Sequence, residues 1–226
     1  MSGIIIKSEE YLERFDKIQK TESFKATKLL VAKGKRVRNI FKKHTLPTGE
    51  QCDFIKEFIL EIEEWKYGME ADNCNPYYQR HVAKNCAASI VIALTKVHIS
   101  IARNEPDVVV LSHLNYLKGM GSVKEGANTS SARQKMASSV LRLIYPEKYG
   151  VVDWRVAAVV NAEKGSRKKL REKYDVINAE LSSEMFELYR QESEAVYRET
   201  GKNILPGDIE SVLFYLSLEL YPPKNA

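Results

Sequence analysis

Apolar residues recur at intervals of three and four along almost the whole chain, and nowhere do they alternate with polar ones in a sustained run. A helix shows its buried face with period 3.6 and a strand with period 2, so this pattern predicts an all-α protein. Predicted helices cover 8–20, 23–44, 50–68, 77–102, 108–117, 130–145, 152–162, 167–199 and 207–220. Pro47 and Gly49 close the second of these, "DNCNP" at 72–76 reads as a loop, and "NEPD" at 104–107 opens a new element at a proline. In "LPGDIESVLFYLSLEL" Asp208 is placed to cap a last helix whose Ile209, Leu213, Leu216 and Leu220 form one stripe. The segment 77–102 is apolar around much of its circumference and is predicted to be a central helix packed on several sides. Its His81 and His98 have no second histidine at i+4 and no acid cluster beside them. They are expected to be partly buried and hydrogen-bonded, with no bound metal.

The chain has 226 residues, enough for one substantial core or two small lobes sharing one. Its longest apolar runs, such as 87–94, are far shorter than the roughly 20 residues of a membrane-spanning helix, and "MSGIIIKSEE" is too short in apolar residues for a signal peptide. A soluble, cytoplasmic protein is the expectation. The three cysteines, Cys52, Cys74 and Cys86, form no C-x-x-C pair, which argues against a disulfide framework or a zinc or iron–sulfur site and for reduced, buried thiols. The net charge of +5 is unevenly spread. Residues 17–43 carry ten Lys or Arg against the single acid Glu22, while 50–72 carry eight acids and two lysines. Such a chain can turn a basic face toward a polyanion, although a merely solvated helix surface accounts for the charge equally well.

The chemistry-bearing stretch is 111–160. A predicted helix ends at Leu117 and Lys118, Gly119-Met120-Gly121 follows, and after a polar run another helix begins near 129–131. Two glycines allow positive φ and close backbone approach, so such a turn can offer main-chain N–H groups to a phosphate, with Lys118 and Lys124 supplying charge. Next come Lys135-Met136-Ala137, a short loop with a proline, and Val152-Asp153-Trp154-Arg155 at the head of another helix.

This ordered series resembles the helix–hairpin–helix DNA glycosylase superfamily, most closely its 8-oxoguanine glycosylase/lyase type. Leu117 to Gly121 is similar to the family's hairpin, Lys135-Met136-Ala137 to its lysine element, and Val152-Asp153 to its aspartate element. The cysteine cluster of the endonuclease III branch is absent. The resemblance implies a two-lobed fold within one compact domain, with 1–75 and 165–226 in one lobe, 76–164 in the other and the hairpin near 117–130. It implies a glycosylase with associated lyase activity, double-stranded DNA bearing a damaged or modified base as partner, and no cofactor. Lys135 is then the nucleophile and Asp153 its partner, 18 residues further on. Thirteen residues separate Gly121 from Lys135, a departure from the family that keeps Lys124 as a rival nucleophile. Lys118, Gly119, Gly121, Lys124 and Arg155 are the implied DNA contacts, and Trp154, Phe214 and Tyr215 are candidates for a flipped-base pocket.

Chemically, breaking an N-glycosidic bond builds positive charge on the sugar, which a carboxylate stabilises while an uncharged amine adds at C1′. A lysine at a helix start is suited to this, because desolvation and the helix dipole both disfavour its ammonium form. Asp153 also reads as an ordinary N-cap of the helix beginning at Trp154, and both roles are compatible. Two further readings stay open: a monofunctional glycosylase in which Asp153 activates water, and a non-catalytic DNA-binding module on the same fold.

Overall fold

The computed structural model describes residues 5–43, 45–68, 81–121 and 134–222, and of 67 and 68 the backbone alone. Every regular element among them is helical: α1 (Ser8–Ile18), α2 (Glu22–Phe41), α3 (Gly49–Gly68), a 3-10 turn (Val82–Lys84), α4 (Ala87–Ala102), α5 (Asp107–Asn115), α6 (Lys135–Ile144), α7 (Trp154–Val160), α8 (Arg167–Lys173), α9 (Ala179–Thr200) and α10 (Pro206–Leu220). The period-3.6 pattern thus reads correctly as all-α. Among the described residues no helix is long and apolar enough to cross a membrane. The predicted loop 72–76, Cys74, the helix start near 129–131 and Lys124 lie outside the described residues.

Buried apolar side chains from Tyr11 to Tyr221 form one contiguous core. Its central helix is α6, in which every residue from Met136 to Ile144 is buried. This corrects the expectation that 77–102 holds that position. That segment is interrupted, because Asn85 is extended (φ −88°, ψ 138°) and only 87–102 continues as α4. Ile92 and Ile99 of α4 are exposed, so α4 buries one side alone. Helix α2 lies unusually close to α6: a Cβ on Gly34 would stand 2.0 Å from the Leu143 carbonyl oxygen, so only glycine fits the crossing. Helix α3 packs on α4 and α6, while α1, α7 and α9 pack on α10. Helices α2 and α3 thus pack against α4 and α6 of the middle of the chain.

Two further boundaries differ from expectation for identifiable reasons. The predicted helix 167–199 is two helices, because Asn178 starts α9 by accepting the Leu181 N–H at 3.0 Å, while the Ile177 carbonyl just before it accepts the Gln134 N–H at 3.0 Å. Asp208 is not the cap of α10. The helix begins with Pro206 after an extended Leu205, and Asp208 lies in its first turn, where it pairs with the buried Arg142 at 3.1 Å. Neither described cysteine is fully buried, Cys86 being exposed and Cys52 partly so. His98 is partly buried and bonds the Tyr145 hydroxyl at 2.9 Å, as expected, whereas His81 is exposed.

Candidate active site

The 18-residue spacing between Lys135 and Asp153 has a mechanical explanation. Helix α6 runs about 15 Å from Lys135, and the eight residues 145–152 must bring the chain back the same distance. That needs about 2 Å per residue, well under the ~3.3 Å of an extended strand. The return is anchored at its end. Ser138, one turn beyond Lys135, accepts the Val152 N–H at 3.0 Å, and the Tyr189 hydroxyl donates to the Val151 carbonyl at 3.0 Å. The Val151 N–H also stabilises the Glu210 carboxylate. Asp153 is thereby delivered to the start of α6, where its Oδ2 meets the Lys135 Nζ at 3.1 Å.

The two groups differ in exposure in a way that matters chemically. The Asp153 side chain is 2% exposed and that of Lys135 30%, so the carboxylate is shielded while the amine remains reachable. Asp153 is the N-cap of α7, its Oδ1 accepting the Arg155 N–H at 3.0 Å. Lys135 is the first residue of α6, whose start is held by the Gln134 hydrogen bond to Ile177. Helix dipoles thus favour the anion at one position and disfavour the cation at the other.

A residue that the sequence reading overlooked completes this centre. Lys66 of α3 lies 3.8 Å from the same Asp153 oxygen, its side chain only 9% exposed. Its position carried a signal: Ile55, Ile59 and Ile62 form the buried stripe of α3, and Lys66 continues that stripe with a charge. Burial alone would push the Asp153 carboxyl up, but Lys135, Lys66 and the Arg155 N–H together hold it down at about 2. It is therefore an anion throughout the physiological range. Behind it, burial pushes Glu210 of α10 up to about 7, against the opposing pull of Arg142 and Lys66. Arg142, 1% exposed, stands 3.1 Å from Asp208 and 3.9 Å from Glu210. A layer of charged and titratable side chains thus lies behind the Lys135–Asp153 pair.

The other candidate residues are distributed as follows. Arg155 is largely buried, its guanidinium donating to the Tyr221 carbonyl at 2.9 Å and lying 4.8 Å from the Trp154 ring centre. Trp154 is partly buried beside Tyr221. The Tyr215 hydroxyl bonds Ser23 and, at 3.3 Å, Thr21, which places it at the turn between α1 and α2, with Phe214 edge-on to its ring.

Of the expected hairpin near 117–130, residues 117–121 lie among the described residues. Gly119 has φ +84°, and a Cβ there would lie 2.9 Å from that of His81. Lys118 is exposed beside it. Its N–H is bound at 2.9 Å by Asn85 Oδ1, and the Asn85 amide donates to the Lys118 carbonyl at 2.9 Å and the Val82 carbonyl at 3.0 Å. Asn85, the residue that interrupts the predicted helix 77–102, thus ties the backbone at Lys118 to the 3-10 turn and acts as a latch between them. The Met120 N–H is taken by the Leu117 carbonyl, and Gly121 is buried.

The basic segment 17–43 is partly neutralised at home. Lys17 pairs with Glu13, Lys25 with Glu22, Lys28 with Asp208, Lys33 with Glu61 and Arg38 with Glu147. Among the described residues no group of three or more His, Cys, Asp or Glu is arranged to hold a metal ion. No protein-family model matches this chain, and neither a curated protein nor a solved structure matches it.

Proposed function

We propose that this protein is a DNA glycosylase with associated lyase activity, built on the two-lobed helix–hairpin–helix glycosylase fold. The observation that carries the reading is a reachable lysine amine 3.1 Å from a buried, ionised aspartate, each at the head of its own helix. Lysine and carboxylate are the two groups that the sequence resemblance implies, in the roles it implies. In the reaction, the uncharged Lys135 amine forms a bond to C1′ as the N-glycosidic bond breaks. The bonding pair leaves with the base, which takes up a proton. The Asp153 anion lowers the energy of the positive charge that develops on the sugar. Loss of the amine proton and ring opening give a Schiff base, from which removal of a 2′ proton expels the 3′ phosphate and nicks the strand. The partner is double-stranded DNA with a damaged or modified base, approached by the hairpin at Lys118 and Gly119.

Borohydride reduction of the Schiff base on duplexes carrying a panel of damaged and modified bases tests this reading. A covalent adduct that disappears in Lys135→Gln and persists in Lys124→Gln is expected. Loss of the adduct in Lys124→Gln alone would transfer the nucleophile to that residue. Base release without strand nicking would make the enzyme monofunctional, with Asp153 activating water. Salt-sensitive DNA binding that survives Asp153→Asn, with no base released from any substrate, would leave a binding module.

A further inference from the structure

We propose that Lys66 is a positioning residue for this chemistry, a fixed second ammonium that holds Asp153 as an anion while favouring the uncharged form of the Lys135 amine. The inference rests on the glycosylase reading for its catalytic meaning, but its electrostatics stand on the geometry. Both lysine nitrogens approach the same carboxylate oxygen, at 3.1 and 3.8 Å, so they lie less than about 7 Å from each other. Two cations that close repel, and each disfavours the charged form of the other. A neighbouring cation is an established way to keep a nucleophilic lysine neutral.

The surroundings decide which of the two gives up its proton. Lys66 lies within reach of two buried carboxylates, since Glu210 also interacts with it, and its side chain is 9% exposed. Lys135 starts a helix whose dipole opposes a cation, and its 30% exposure leaves its amine able to pass a proton to solvent and to be reached by a substrate. The charged and titratable groups around the pair are Asp153 and Arg155 at the head of α7, Glu210 on α10 and Tyr189 on α9, with Arg142 on α6 and Asp208 on α10 behind Glu210. Of these, Asp208 is engaged by Arg142, and Tyr189 stays neutral because burial raises its hydroxyl well above the usual range. When Lys135 becomes neutral, Lys66 remains as a counter-ion for Asp153. The aspartate then meets the substrate as an anion, and the Lys66 ammonium offsets part of its pull on a proton at the nucleophile.

The experiment is trace labelling of the full chain, free of DNA, with acetic anhydride across pH, reading acetylation of Lys135 by mass spectrometry. In Lys66→Met, which keeps the length of the side chain, the pH midpoint for Lys135 should rise by about one to two pH units, the size expected for like charges at this distance with an effective dielectric near 20. Lys66→Arg should restore the original midpoint. In parallel, the rate of adduct formation at neutral pH should fall roughly ten- to a hundred-fold in Lys66→Met, with its pH profile displaced upward by the same amount as the labelling. A folded Lys66→Met with an unmoved midpoint overturns the proposal, and Lys66→Gln takes its place should the methionine variant not fold. If the midpoint moves but wild-type protein forms no adduct on any lesion, the coupling stands and its catalytic assignment falls with the glycosylase reading.

Discussion

Replacing Asp153 by asparagine separates the two jobs of this residue. Asparagine caps a helix as well as aspartate does, so the Arg155 N–H keeps its acceptor and α7 keeps its start. What disappears is the charge. The carboxyl sits at about 2 in the folded protein against an ordinary value of 3.8, which corresponds to about 2 kcal/mol of interaction favouring the anion. Deleting one member of a buried pair costs more, typically about 3–5 kcal/mol, where the partner stays stranded. Here Lys135 can turn to solvent, and removal of the Asp153 charge lets Glu210 ionise more readily beside Lys66. We therefore predict a loss of about 2–3 kcal/mol at neutral pH, measured by urea unfolding followed by far-ultraviolet circular dichroism. Asp153→Ala should lose about 1 kcal/mol more, because the cap goes too. The pH dependence is the sharper check. A carboxyl with a depressed pKa stabilises the fold above its unfolded value and loses that contribution as pH falls through the folded one. The gap between wild type and Asp153→Asn should hence be full above pH 4 and shrink toward pH 2. A gap below about 0.5 kcal/mol at pH 7, or one that does not change with acidity, would refute the ion-cluster account of this centre.

Glu210 has the opposite sign. Its folded pKa is raised to about 7 from an ordinary 4.5, so the native state is favoured below pH 4.5 and loses about 3 kcal/mol as pH rises to 7, a slope that Glu210→Gln should flatten in the same unfolding assay. Gly34→Ala should destabilise by several kcal/mol or prevent folding, since its Cβ would meet backbone at Leu143 and the two helices must separate; a thermal midpoint within a degree of wild type would contradict the crossing. Asn85→Ala breaks the latch and strands the Lys118 N–H, so a loss of about 1–3 kcal/mol is expected while the labelling midpoint of Lys135 stays in place; on the glycosylase proposal, binding to lesion-bearing duplexes should weaken as well.

The periodic spacing of apolar residues was sufficient to determine the helical class, because it follows from the geometry of a single helix and needs no knowledge of neighbours. It also located Asp153 at a helix start, since a cap before an apolar run is a local signal, whereas the predicted helix 130–145 placed Lys135 inside its helix. Helix boundaries were less legible where a tertiary partner intervened: Asn85 left its predicted helix to hold Lys118, and the Ile177 carbonyl went to Gln134. Position in the packing was a matter for the whole fold. The apolar stretch 87–102 exposes Ile92 and Ile99, while the shorter α6 is buried all round, because Gly34 admits α2 against it and Arg142 finds Asp208 on α10. Lys66 was visible as a charge on an apolar stripe, but that it shares an oxygen with Lys135 was decided only when α3, α6 and the head of α7 were brought together. Charge interacts through space and not along the chain, so residues 66, 135, 153 and 210 become one electrostatic centre only in the folded protein.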